Sequence, residues 1–143
     1  MKNKHLIGIN DKKANELQQK LNALLADYQV FYINVRGLHW NIRGHKFFEL
    51  HLKFEELYTN LAVKIDEVAE RILTLGGTPE HAFSSYLKQS ALKESKAIHN
   101  GDEGVKLIVD ALGKVVVKQR DLLLLSAEAN DEGTNALMSN YIS

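Results

Sequence analysis

No cysteine occurs among the 143 residues, and proline occurs once, at Pro79. Without thiols there can be no disulfide and no thiolate metal site, so any bound metal must be held by histidine and carboxylates. A reducing cytosol suits such a chain. Net charge is also missing, since 18 Lys and Arg balance 18 Asp and Glu. Bulk charge therefore draws the protein toward neither nucleic acid nor an anionic membrane. No stretch approaches the roughly 18 uninterrupted apolar residues of a membrane helix. The start, MKNKHLIGIND, has Lys2 and Lys4 with no long apolar run behind them, and reads as neither a signal peptide nor an anchor. Strand-like alternation is scarce, and no internal repeat or low-complexity segment is found.

Helical periodicity dominates instead. Hydrophobic residues make up 45% and charged residues 25%, which is ordinary for a globular protein. The length suits a single domain over 1–143 with its own core, residues 1–10 forming a short tail. The first helix is expected to start at Asn10 or Asp11, either of which can cap. Leu17, Leu21, Leu24, Tyr28, Phe31, Val35 and Leu38 step by three or four, the mark of a buried stripe. This helix should run roughly 28 residues, loosened and ended by Gly37 and the 41–44 segment. A second helix is expected from about His45 to Leu75, stopped by Gly76, Gly77 and Pro79.

The connector from Gly76 to about Gly101 is too long to be structureless in a compact domain. Ser84 is a capping residue for a short crossing helix within it. Asp102 and Glu103 then open a third long helix. It carries Val105, Ile108, Val109, Leu112, Val115, Val116, Leu122 and Leu123 to about Asn130. Thr134 is expected to cap a fourth helix bearing Leu137, Met138, Tyr141 and Ile142. The fold class is thus all-α, a four-helix bundle with one long crossover. The fourth helix has only about ten residues against nearly thirty for its partners. That predicts a shortened C-terminal helix, or a second subunit covering the open end of the core.

The chemistry-bearing residues concentrate in one stretch, Leu38 to Gly77. It holds the only Trp and three of the six His. His51 and Glu55 form one pair at helical spacing, and Asp66 and Glu70 form another. At about 100° per residue, Glu55, Asp66 and Glu70 lie roughly 40°, 60° and 100° round from His51, on one stripe. Singly, such pairs are ordinarily solvated faces. The stripe is what raises them to metal-ligand candidates.

Distance sets the next constraint. At about 1.5 Å per residue, Glu55 and Asp66 are some 16 Å apart, and His51 and Glu70 about 28 Å. Metal ligands sit about 2.0–2.2 Å from an ion, so one straight helix cannot bring both pairs to one site. Either the pairs are unrelated or a second chain supplies the missing half. Residues 51 and 70 share a midpoint with residues 55 and 66, between Asn60 and Leu61. Two copies of this helix packed antiparallel about a two-fold axis there would set His51 against Glu70 and Glu55 against Asp66. His39, at the end of the first helix, is a third nitrogen candidate. Trp40 reads as a core anchor or as an oxidisable ring beside redox chemistry. His45 reads as a turn residue, whereas His5, His81 and His99 have no carboxylate at ligand spacing. Carboxylates with imidazole suit Fe(II), Mn(II) or Zn(II). The Glu-x-x-His pair of in-bundle di-iron sites is absent.

The stretch closely resembles the Dps proteins, the miniature ferritins of bacteria. The shared elements are Leu38-His39-Trp40, the Arg43-Gly44-His45 turn and Phe47-Phe48 with Leu50-His51. They continue through Glu56-Leu57-Tyr58, Asp66 to Arg71, and Gly76-Gly77. The resemblance implies a ferritin-like four-helix bundle with a short helix in the long connector, assembled as a dodecameric shell in the bacterial cytoplasm or nucleoid. It implies a ferroxidase centre between two-fold-related subunits, with His39, His51 and Glu55 from one and Asp66 and Glu70 from the other. The metal would be iron, as a di-iron pair or with a weaker second site. The partners would be Fe(II) with hydrogen peroxide or O2, and the ferric product would be stored, which protects DNA. Trp40 would lie near this centre. Position 55 is usually Asp in the family, and the family's last helix continues further. Glu128, Asp131 and Glu132 fall where such shells admit iron through three-fold pores, and are otherwise a solvated turn. Members that bind DNA often use basic tails; this one offers only Lys2 and Lys4, then Lys12 and Lys13. A DNA-compacting protein with little ferroxidase activity is the alternative. In a third reading the acids only make interface salt bridges.

Overall fold

The computed structural model describes residues 7–143, and in that range every regular element is a helix. Lys2, Lys4 and His5 of the expected tail lie outside the described residues. Helix α1 spans Asp11–Asn41 and is capped by Asn10, whose side chain accepts from Lys13 N at 3.2 Å. All seven residues of its expected stripe are buried. Ala14, Leu25, Ala26 and Val30 are buried too, because α1 is packed on several sides. Gly37 lies inside the helix rather than ending it, so α1 reaches 31 residues.

Helix α2 spans Phe47–Thr74 and buries only a narrow seam, Phe54, Leu61, Val68 and Ile72, against α1. Its other face carries the predicted acids. The chain leaves α2 through Gly76 at φ +82°, a conformation glycine adopts without Cβ strain. Gly77 N donates to Ile72 O at 2.9 Å and Gly76 N to Leu73 O at 2.9 Å, which closes the helix end as a Schellman motif.

The crossover contains α3, Phe83–Gln89. Ala82, not Ser84, sits at its N-cap, with no side-chain bond; Ser84 and Ser85 lie within the helix. The crossover has few backbone bonds of its own, so polar side chains of α1 supply them. Asn22 accepts from Glu80 N at 2.9 Å, buried Asp27 from Ala91 N at 2.8 Å, and Asn34 from Ser95 N at 3.0 Å. Asp27 also pairs with Lys118 at 2.8 Å. These side chains pin the crossover along α1.

Helix α4, Gly101–Glu128, is capped by Asn100, and its start lies beside the start of α2, with Gly101 against Leu50 and Gly104 near Phe54. Near its start a Cβ on Gly104 would lie 3.2 Å from Leu38, so the missing side chain permits close approach. Its buried residues are Gly104, Ala111, Val115, Gln119, Leu122 and Ser126. Val105, Val109 and Leu112, expected in the core, are exposed. The reason is α5, Glu132–Ile142, which has only 11 residues and ends beside Tyr28 and Lys64. A cleft of about 390 Å³ remains there, lined by Leu57, Leu61, Leu112, Val116, Tyr141 and Ile142 among others. The α5 cap is Asp131, which accepts from Thr134 N at 3.1 Å, so Thr134 is the capped residue and not the cap.

Candidate metal centre

The turn over residues 42–46 folds the end of α1 back onto the start of α2. His99 holds that turn: its Nδ1 donates to Asn41 O at 2.7 Å, and its carbonyl accepts from Arg43 N at 2.9 Å. The result is that His39, in the last turn of α1, faces His51, near the start of α2. Their rings stack with centroids 3.7 Å apart and planes 15° apart.

Each ring also bonds the other residue's backbone. His39 Nδ1 lies 2.7 Å from His51 O, and His51 Nδ1 lies 2.7 Å from His39 O. A carbonyl can only accept, so both Nδ1 atoms carry the proton. In the neutral imidazole Nε2 then carries the free lone pair, the form that ligates a metal. Phe47 stacks near His51 at 4.8 Å, and Tyr58 meets His39 edge-on at 5.2 Å. Glu55 Oε1 lies 3.8 Å from His39 Nε2, with its side chain 51% exposed. One ligand atom each from His39, His51 and Glu55 falls within 4.8 Å of the others. Two donors about 2.1 Å from one ion are at most about 4.2 Å apart, so the set needs only a small closing movement.

Among the described residues this is the one group of three or more such ligands close enough to hold an ion. The chain does not bring Asp66 and Glu70 to it. They sit further along α2, side by side and exposed. Their proximity raises the Glu70 carboxyl above the usual carboxylate range, through its hydrogen bond with Asp66 and then the like charge of Asp66. A dication between them would relieve that repulsion.

Three other expectations have definite outcomes. Trp40 is not a core anchor: it is 60% exposed, on the opposite side of α1 from the buried stripe. Asp131 is not a free acid. It is 1% exposed, pairs with Arg71 Nη2 at 2.5 Å and bonds the Thr134 hydroxyl. Glu128 and Glu132 are exposed. The His99 brace, the reciprocal imidazole bonds and the Tyr58 contact have no signature in the sequence, since each joins residues on different elements.

A family model described as a ferritin-like domain matches residues 18–143. The DNA protection during starvation protein of Porphyromonas gingivalis is 45% identical over 136 residues, spanning 95% of this chain and 86% of that protein. A Dps protein from Vibrio cholerae, described as a member of a broad superfamily of ferritin-like diiron-carboxylate proteins, superposes with a TM-score of 0.94. It is 53% identical and covers 96% of this chain and 86% of its own. The Dps protein of Bacillus brevis superposes with a TM-score of 0.88 at 31% identity, over 92% of this chain and 88% of that one.

Proposed function

The chain belongs to the Dps proteins of the ferritin-like family, and on that premise we propose that it oxidises Fe(II) at a centre built from His39, His51, Glu55, Asp66 and Glu70. The observation that carries this is the imidazole pair. Two histidines fix each other's tautomer, and a carboxylate lies close to the same point. A helix-end histidine that served only the backbone would not need a stacked twin with a matching free nitrogen.

A second copy completes the site. In the antiparallel pairing about the 60/61 midpoint, each residue faces the one whose number brings the pair to 121. The exposed apolar residues of α2 follow the same rule as the ligands. Phe48, 82% exposed, faces Leu73, 59% exposed. Val63, 55% exposed, faces Tyr58, and Leu52, 55% exposed, faces Ala69. Exposed apolar residues thus meet either one another or, at Tyr58 and Ala69, the uncovered side of a half-buried residue, as an isologous interface allows. Each of the two sites would then hold two imidazoles and three carboxylates, with Fe(II) as the substrate.

Hydrogen peroxide is the oxidant that fits best. It accepts two electrons, one from each of two Fe(II), takes up two protons and leaves as water, with no hydroxyl radical formed. Storage of the ferric product in a twelve-subunit shell, DNA protection and a bacterial cytoplasmic location rest on family membership. Among the described residues no helix is long and apolar enough to cross a membrane. The DNA-compacting alternative has less support, because Lys13 is already committed to Glu128 O at 2.7 Å.

The test is anaerobic oxidation of Fe(II) by stoichiometric peroxide, followed by ferric absorbance with a spin trap present. The wild-type protein should oxidise iron rapidly without a radical adduct. The His39→Ala/His51→Ala variant should fall to the rate of buffer. Equal rates in the two proteins would remove the reading.

A further inference from the structure

One cation beside the imidazole pair lacks an acidic partner. Tyr32, Arg36 and Trp40 are four residues apart on α1 and share a face. The Arg36 guanidinium carbon lies 5.8 Å from the Tyr32 ring centre, 5.3 Å from that of Trp40 and 4.7 Å from that of Tyr58 on α2. Its Nη1 donates to the Tyr32 hydroxyl at 2.6 Å. Its Nε is buried with no hydrogen-bond partner. Among the described residues no carboxylate pairs with it. Aromatic faces take the place of an acid, and a planar guanidinium suits that setting better than an ammonium would.

We propose that Arg36 is a positioning residue for the His39 imidazole, acting through the ring of Tyr58. The His39 ring is pinned at Nδ1 by His51 O and covered on one face by His51. A single hydrogen bond fixes the tautomer but leaves the ring able to rock about that bond, which swings Nε2. A further constraint is the Tyr58 ring, 5.2 Å away and inclined at 75°. Tyr58 is itself held by the guanidinium, and by Tyr32 at 5.9 Å and 87°. The route runs Arg36, Tyr58, His39, and it ends at the aim of Nε2.

The rival account is a direct charge effect, and it has the opposite sign. A fixed cation near a dication weakens binding, so removing it would tighten the site. If Arg36 acts by position, removing it loosens the site.

The inference rests on the metal-site reading above, and Co(II) serves as probe for both. Affinity is measured by calorimetry, and coordination geometry by the visible ligand-field bands. Arg36→Met should weaken Co(II) binding about tenfold or more and shift the bands, the effect of losing an outer support for a ligand. Tyr58→Leu should do the same. Tyr58→Phe should match the wild type, because the ring and not the hydroxyl makes the contact. The Arg36→Met/Tyr58→Leu double variant should be no weaker than either single. Unchanged or tighter binding in Arg36→Met, or additive losses in the double variant, would overturn the proposal. If Arg36→Met does not fold, Arg36→Lys carries the decision: it keeps the charge but not the planar guanidinium, so weakened Co(II) binding supports positioning and unchanged binding overturns it. Wild-type binding that survives His39→Ala/His51→Ala intact would instead sink the metal-site reading.

Discussion

Both imidazoles present the same nitrogen outward because each spends the other nitrogen on its neighbour's backbone. That leaves Glu55 as the adjustable member of the set. Its carboxylate is half exposed and stands 3.8 Å from His39 Nε2, close enough to bind with a modest movement. Glu55→Gln keeps the size and removes the charge. It should weaken Co(II) binding by roughly tenfold or more while leaving the thermal stability of the metal-free protein unchanged. A calorimetric titration beside a melting curve checks both parts, and a large fall in metal-free stability would mark Glu55 as structural. His51 and Glu55 were legible in the sequence because helical period alone places them on one stripe. His39 was legible from its place at a helix end. The roles of Tyr58 and His99, and the contact of Arg36 with Tyr58, were not, since those partners lie across a turn or across the crossover, and pattern within one helix carries no information about such contacts.

Elements show the same division. The α1 stripe was read in full because it is a long regular repeat. The α4 stripe was overread: periodicity marks an apolar face but not whether another helix covers it, and α5 covers only part. The α5 cap was misplaced by three residues because Asp131 and Thr134 are both good capping types. Only the structure shows that Asp131 also receives Arg71 from α2. Asp131→Ala leaves that guanidinium without its carboxylate and α5 without its cap. It should cost about 2–3 kcal/mol in urea unfolding, against almost nothing for Glu132→Gln. Gly133→Ala should also destabilise, since its Cβ would meet, at 2.5–2.7 Å, an Arg71 guanidinium that Asp131 and Thr134 hold in place. The seat of α5 adds an alkaline limit. Burial pushes Tyr28 and Tyr141 above the ordinary tyrosine range; the bond from Gln119 partly offsets this at Tyr28, whereas the bond to Glu67 adds to it at Tyr141. Unfolded tyrosines ionise near about pH 10. Above that pH the unfolded chain has released protons that the native one keeps, so stability falls as pH rises. Urea midpoints measured across about pH 9 to 11 should decline, and less steeply in Tyr141→Phe.

At the scale of the whole molecule, the proposed two-chain site would make activity a property of pairs of chains. Each site would take His39, His51 and Glu55 from one copy and Asp66 and Glu70 from the other. His51→Ala alone disables both sites of a dimer, and so does Asp66→Ala. A dimer with one chain of each kind is different. One of its sites carries both lesions, and the other carries neither. Refolding the two variants together in equal amounts gives mixed dimers as about half of the population, each with one sound site of two. About a quarter of the wild-type peroxide-driven iron oxidation should therefore return per chain, where each variant alone has almost none. Native mass spectrometry establishes that mixed dimers have formed. If they form and no activity returns, the two ligand pairs do not share a site, and the common midpoint between Asn60 and Leu61 is coincidence. If the expected quarter returns, the exposed apolar pairs Phe48 with Leu73 and Tyr58 with Val63 become the next positions to test. A charge at Leu73 should then abolish dimers and iron oxidation together, while the imidazole pair within each chain stays intact.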